Sequence, residues 1–215
     1  MSQIICFDIE TCPKVLSEQE EQLLESKLRN YEKDSKEYSN KKTNLIYGNP
    51  LYNQVVAIST LMSNSPQTPI ESTHYGVFFN KQDEESLIKD FINYISQFPY
   101  AKYVHFNGLD FDVPILLAKC AMYAVTPPAR FCNTIRFRTD PHYDIMQVFS
   151  NWGRFYVNLR ELLIRFCISD SKSYLNNLDR IDFMVQASDD DIKKYSIEDV
   201  KSTYLLFQKI FRIYQ

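Results

Sequence analysis

Residues 7–11 read Phe-Asp-Ile-Glu-Thr, and the stretch just before them, QIICF, is apolar and β-prone. A strand is therefore expected to end in two carboxylates, Asp8 and Glu10. Side chains at i and i+2 of a strand point to the same face, so the two acids sit side by side. Close carboxylates repel, and burying either one unpaired is expensive. No Lys or Arg lies within three residues on either side. A divalent cation is then the natural counter-charge, since Mg2+ takes one or two carboxylates together with waters and substrate phosphate. The competing reading is a strand that runs out into a solvated acidic loop, with no further ligands elsewhere.

Two later stretches offer more acids. HFNGLDFDVPIL, residues 105–116, reads as a strand end, a turn at Asn107 and Gly108, and a helix opened by Asp112. Strand-to-helix junctions place side chains at the edge where α/β proteins build sites. An acid there also suits the helix N-terminus, worth about 0.5–2 kcal/mol, so capping competes with catalysis for Asp112. Asp110, in the same loop, is either exposed or a competing ligand. In YSIEDVKSTYLLF, residues 195–207, Tyr195 and Asp199 lie four apart and share a helix face. That face borders the apolar stripe of Ile192, Val200, Leu206 and Ile210, which makes Asp199 half-buried, while Glu198 lies about 100° round and is solvated. Asp199 then needs a partner: a metal shared with Asp8 and Glu10, a Tyr hydroxyl or a backbone N–H.

The elements that must position these residues follow from the apolar pattern. QVVAISTLM (54–62) and STHYGVFF (72–79) read as the second and third strands, and KYVHF (102–106) as another. DEESLIKDFINYIS places Leu87, Ile88, Phe91 and Ile95 at helical spacing. Asn158 with Glu161, and Ser188 with Asp191, are placed as capping pairs for helices over 157–167 and from 188 to about 213. Ser17 and Glu20 form a third such pair, opening a charged helical excursion over about 17–44. Three strands, a helix, a strand and then mostly helices imply one α/β domain with a mixed sheet flanked by helices.

Composition narrows the class. The chain has 215 residues, 45% of them hydrophobic, enough for one domain with a full core. It has neither a membrane-length apolar run nor the pattern of a signal peptide. Five Cys without a C-x-x-C pair argue against zinc and fit a reduced, cytoplasmic setting. A net charge of −3 weighs against binding nucleic acid by bulk positive charge. It leaves room for a protein that holds a strand end through metals and a local groove. Residues 129–172 carry seven Arg or Lys against four acids, a local +3 that leaves −6 for the rest of a chain of net −3. Arg130, Arg136, Arg138 and Arg154 alternate there with Phe131, Phe137, Tyr143, Trp152, Phe155 and Tyr156. That mixture suits backbone contact and base stacking on a single strand, although most of these aromatics are expected in the core.

Taken together, the three acid stretches resemble the DEDD 3′–5′ exonuclease superfamily, whose fold is ribonuclease H-like. FDIET is similar to its first motif. FNGLDFD, with Asn107, Phe111 and Asp112, is similar to the second. Tyr195-x-x-x-Asp199 is similar to the third motif of the Tyr-bearing (DEDDy) branch. The likeness is greatest to the proofreading domain of family B DNA polymerases and its small stand-alone relatives, and spans residues 3 to about 208. Those relatives often carry His-Arg just before the second strand. Here Asn53 and Gln54 stand instead, a change that bears on a substrate contact and leaves the acids untouched.

The resemblance implies two divalent ions, Mg2+ or Mn2+. Asp8, Glu10 and Asp199 hold the one that activates water, and Asp8 bridges to a second that Asp112 reaches. Tyr195 orients the attacking water; with an unperturbed pKa near 10 it is a poor base. Thr11, Asn107 and Phe111 become substrate contacts. The implied activity is hydrolysis of nucleoside 5′-monophosphates from the 3′ end of single-stranded DNA, in proofreading or repair. Any polymerase served would be a separate partner. Asp144 occupies a place where relatives often have an acid but is not read as a ligand, and His105 and His142 are not needed by a Tyr-bearing branch. An exoribonuclease on short RNA keeps the same chemistry. An inactive binding module is the reading of another class, and its usual sign, loss of an acid, is missing.

Overall fold

The computed structural model describes residues 3–33, 35–168 and 180–213. Strand β1, Ile4–Pro13, is the centre of the molecule. Its odd residues Ile5, Phe7 and Ile9 enter one apolar cluster, while Ile4 and Cys6 enter another on the opposite face. Period-two alternation thus commits the even face, and with it Asp8 and Glu10, to a single side of the sheet.

Strand β2, Asn53–Ser63, pairs antiparallel with β1, and β3, His74–Phe79, extends that side antiparallel to β2. Strand β4, Lys102–His105, lies parallel on the other edge of β1, followed by the short parallel β5, His142–Asp144. The order β3-β2-β1-β4-β5 makes the mixed sheet expected from sequence. Strand β5 is not expected from the sequence, because its three residues are too few for a periodic signal.

Two helices, α3 (Glu84–Ser96) and α4 (Asp112–Met122), cover the face to which Ile5, Phe7 and Ile9 point. Leu87, Ile88, Phe91 and Ile95 of α3 are all buried, as their spacing predicts; each contributes about 1.5–3 kcal/mol. The opposite face is covered by α5 (Ile145–Phe149), α6 (Leu159–Arg165) and α8 (Asp189–Phe211), with α7 (Arg180–Gln186) just before α8. The excursion is two helices, α1 (Glu18–Leu28) and α2 (Lys36–Gly48), so it runs beyond the expected end. Leu24, Leu28 and Tyr52 form its own small core. The capping pairs Ser17–Glu20 and Asn158–Glu161 both form. Among the described residues no helix is long and apolar enough to cross a membrane.

Candidate active site

The site begins on the even face of β1. Asp8 is half-buried, Glu10 fully buried and Asp199 half-buried. Each offers a carboxylate oxygen, and these oxygens lie within 4.8 Å of one another. Asp199 comes from α8, which is opened by Ser188 accepting the Asp191 N–H and turned inward by buried Ile192, Val200, Leu206 and Ile210. One turn earlier on the same face, Tyr195 is buried against Phe183, ring centroids 5.3 Å apart. Glu198 lies off this face and pairs with Lys201 at 2.9 Å.

The fourth acid arrives by another route. Asp112 is buried at the start of α4, and its Oδ1 accepts the backbone N–H of Ile9 at 3.0 Å. Capping is not its role. Phe111 holds the N-cap position, without a side-chain cap bond, and Asp112 lies one residue inside the helix. The carboxylate instead ties α4 to the residue between Asp8 and Glu10.

The turn before α4 is shaped by a fifth carboxylate. Asp144, at the end of β5, accepts the N–H groups of Asn107 and Leu109, each at 3.0 Å, and that of Gln147 at 3.2 Å. The neighbouring His105, and then the Leu109 and Gln147 N–H groups, hold it below its ordinary value despite burial, and the three backbone bonds make it a structural anchor. Asn107 takes a left-handed φ of 62°, which Asn tolerates better than most residues. Gly108 must lack a side chain, because a Cβ would stand 2.5 Å from His105 Cγ. His105 and His142 are linked ring to ring at 3.1 Å, and His142 Nε2 donates to the Phe131 carbonyl at 2.8 Å. Both belong to the buried support of the turn. Asp110 is bound to Arg136 Nη2 at 3.0 Å and to Gln147 Nε2 at 2.6 Å, so it is neither a loose acid nor turned toward the other carboxylates.

Asp8, Asn107, Phe111, Asp112, Tyr195 and Asp199 line one cleft of about 410 Å3. Thr11 does not face it. The pairing register shifts between Glu10 and Thr11, a bulge that re-aims the strand. Thr11 lines a neighbouring pocket of about 330 Å3, which shares Phe111 with the cleft and takes Thr43, Asn44, Tyr47 and Gly48 from α2. Those α2 residues carry no chemical pattern and escape sequence reasoning. The sequence marks Tyr156 only as one of the aromatics among the arginines and Asn158 only as a helix cap; the fold brings both to the rim of the cleft. Asn53, flagged as a departure from relatives, is buried and donates its amide to the Tyr47 carbonyl at 2.8 Å, so it serves the end of α2.

The field of the acids is felt behind them. The buried Cys6 thiol is pushed well up, first by burial and then by Asp8, Asp199 and Asp112. Three oxygens converging in a half-dry cleft with this accumulated negative charge are a donor set for hard divalent cations, which favour oxygen ligands. All five Cys are free thiols.

The aromatic expectation for residues 129–172 needs correction. Phe131 and Tyr143 are core, but Phe137, Phe155 and Tyr156 are 74%, 52% and 85% exposed, and Trp152 is half-buried. Most of the six therefore meet solvent. Residues 169–172 of that stretch lie outside the described residues.

Residues 47–214 match a family described as a predicted 3′–5′ exonuclease related to the exonuclease domain of PolB. Among solved structures, the family B DNA polymerase of the hyperthermophilic archaeon Pyrobaculum calidifontis is similar at 15% identity and a TM-score of 0.59, over 98% of this chain and 25% of that one. E. coli exonuclease I in complex with a dT13 oligonucleotide is similar at 10% identity and a TM-score of 0.51, over 100% of this chain and 42% of that one. The chain thus spans a quarter of the polymerase and less than half of exonuclease I. At such identities the likeness shows the fold, and it bears out the α/β exonuclease architecture. No curated protein sequence matches the chain. The matched region covers β2 to α8, the elements that place Asp112, Tyr195 and Asp199, and the chain belongs to the family of predicted 3′–5′ exonucleases related to the exonuclease domain of PolB.

Proposed function

We propose that this chain is a metal-dependent 3′–5′ exonuclease of the Tyr-bearing DEDD type, which removes nucleoside 5′-monophosphates from the 3′ end of single-stranded DNA. The observation that carries the proposal is the convergence of Asp8, Glu10 and Asp199 oxygens within 4.8 Å of one another, at a cleft lined by Asp8, Asp112, Tyr195 and Asp199.

Asp8, Glu10 and Asp199 would hold one divalent ion, and Asp8 with Asp112 a second. Such a pair, Mg2+ or Mn2+, supplies an activated water and neutralises charge on the leaving 3′ oxygen. The chain's own residues do the rest. Asp112 keeps one oxygen on the Ile9 N–H, which fixes its carboxylate against β1. Tyr195, held between Phe183 and the cleft, orients the attacking water by hydrogen bond. Thr11 and Phe111 bound the pocket beside the cleft, which suits the terminal nucleotide, and α2 closes its far wall. Asn107 borders the cleft at the tip of the turn that Asp144 holds in place. A free-thiol chain suits a reducing, cytoplasmic setting, where a separate DNA polymerase is the natural partner for a proofreading activity.

The test uses 5′-labelled single-stranded DNA and matched RNA with Mg2+ or Mn2+, comparing the wild type with Asp8→Ala. The expected result is a ladder shortening from the 3′ end, faster on DNA, and abolished by EDTA and in the variant. Faster shortening of the RNA would reassign the substrate. End binding without released nucleotide would overturn the enzyme reading.

A further inference from the structure

Beside the cleft lies a second, open cavity of about 590 Å3, lined by Phe137, Arg138, Val148, Asn151 and Trp152. We propose that Phe137, Arg138 and Trp152, continued by Arg154, Phe155 and Tyr156, form a platform for the single strand upstream of the 3′ nucleotide in the cleft. This inference rests on the exonuclease reading above and adds to it where the rest of the strand runs.

The platform is built, not a chance exposure. The Phe137 and Trp152 rings meet at a centroid distance of 5.2 Å and an angle of 53°, with Phe137 exposed and Trp152 half-buried. Phe137, Asn151 and Trp152 take left-handed φ values of 64°, 51° and 62°. Aromatic residues seldom adopt that backbone, and where they do the surroundings must over-determine it, as at binding sites. Here the Trp152 N–H donates to the Gln147 carbonyl at 2.6 Å, and the Gly153 N–H to Ser150 Oγ at 3.0 Å. The loop that carries Phe137 is held by the Arg136–Asp110 pair at 3.0 Å.

The same pair gives continuity with the cleft. Asp110 belongs to the turn that presents Asn107 and Phe111, and it also accepts from Gln147 of α5 at 2.6 Å. Helix α5 borders both cavities, with Met146 lining the cleft and Val148 the platform. From Trp152 the chain runs through exposed Arg154 and Phe155 to Tyr156 at the rim of the cleft. Phe155 is steadied by the Phe149 ring at 6.2 Å.

Charge favours a polyanion with flat bases over an apolar protein partner. Arg138 and Arg154 are exposed beside the aromatics, and the acid of the cavity, Asp140, is paired with Arg130 at 2.6 Å. Aromatics accept any base by stacking while arginines follow the phosphates, so the contact is sequence-tolerant and salt-dependent.

The experiment compares the wild type with Phe137→Ala and Arg138→Ala, both at exposed positions. Three probes are used with Mn2+: the p-nitrophenyl ester of thymidine 5′-monophosphate, an oligothymidylate of about three nucleotides, below the usual single-strand site size, and one of about twelve, within it. The expected result is an about tenfold higher KM on the long oligomer for Phe137→Ala, the scale of one lost stacked base. Its kcat, and all turnover of the ester and the short oligomer, should stay unchanged. Arg138→Ala should also lower the salt dependence of long-oligomer binding by about one phosphate contact. An unchanged KM on the long oligomer in both variants would overturn the platform. So would an equal loss on all three probes, which marks a structural effect. A wild type that turns over none of the probes would overturn the exonuclease reading instead, and anisotropy of the labelled long oligomer would then judge the platform alone: weaker binding in both variants supports it, and equal binding overturns it.

Discussion

The carboxylate of Asp112 accepts the main-chain N–H of Ile9 at 3.0 Å, between the two acids of β1. A side chain of α4 is thereby registered to the strand that carries Asp8 and Glu10. The bond serves the geometry and the charge serves the chemistry, so substitutions can separate them. Asp112→Asn keeps an acceptor for Ile9 and should fold with near-wild-type stability while activity falls at least about a hundredfold, the scale of a lost catalytic group. Asp112→Ala should in addition lose about 1–3 kcal/mol in urea unfolding, because the buried Ile9 N–H is left without this acceptor. Equal stability of the two variants would refute the structural half of this account.

Carboxylates gathered within 4.8 Å repel one another when no cation is present. Relief of that repulsion should be measurable without any substrate. In EDTA, Asp199→Asn is expected to melt about 2–4 °C above the wild type, the shift that about 1 kcal/mol produces at this size. Saturating Mn2+ should raise the wild-type Tm, since an ion that binds the folded form at about a hundred times its Kd adds about 2.7 kcal/mol. The variant should gain much less. A wild-type Tm indifferent to Mn2+ and Mg2+ would argue that the cluster does not bind divalent ions.

His142 gives the protein an acid limit. Burial, and then the neighbouring His105, push it down to about 3, so it is neutral in the folded protein. The unfolded chain binds a proton at this residue below about 6.5. Stability from this group is therefore complete above that value and lost as pH falls from about 6.5 toward 3. Arg130 adds to the downward push, whereas Asp144 and the Phe131 carbonyl oppose it. Between about pH 7.5 and pH 5 the wild type should lose about 2 kcal/mol through His142. His142→Leu should be less stable at neutral pH but lose correspondingly less over that interval. Parallel pH profiles of the two proteins would contradict the assignment.

Lys119 is buried against Glu84, with Nζ 3.0 Å from Oε1, 3.1 Å from Oε2 and 2.6 Å from the Asn53 carbonyl. Glu84 also accepts the Val55 N–H and the Tyr123 hydroxyl, both at 2.6 Å. The group thus joins α3 and α4 to the start of β2, opposite Thr11. Burial holds the Lys119 ammonium below its ordinary value even with Glu84 beside it. Lys119→Ala should cost about 3–5 kcal/mol, since it strands a buried carboxylate, while Lys119→Met with Glu84→Gln should recover much of that. A loss below about 1 kcal/mol for Lys119→Ala would mean that water reaches the pair.

What the sequence determined by itself is the part governed by local periodicity. Strand alternation put Asp8 and Glu10 on one face, and helical spacing put Tyr195 beside Asp199 on the edge of an apolar stripe. Capping pairs fixed where α1, α6 and α8 begin. Those rules span a few residues, so they can be read from a few residues. What only the tertiary structure decided depends on groups far apart in the chain. The Asp112 bond to Ile9 crosses 103 residues, and no local rule distinguishes it from a helix cap. Asp144 anchoring the Asn107 turn, and α2 forming a wall beside Thr11, likewise follow from sheet order and layer packing. The exposure of Phe137 and Tyr156 inverts the usual preference of aromatics for the core: Phe137 stands on left-handed backbone next to the Arg136–Asp110 pair, and Tyr156 on the rim of the cleft. Composition describes what a residue prefers, and the fold alone decides which preferences are overruled.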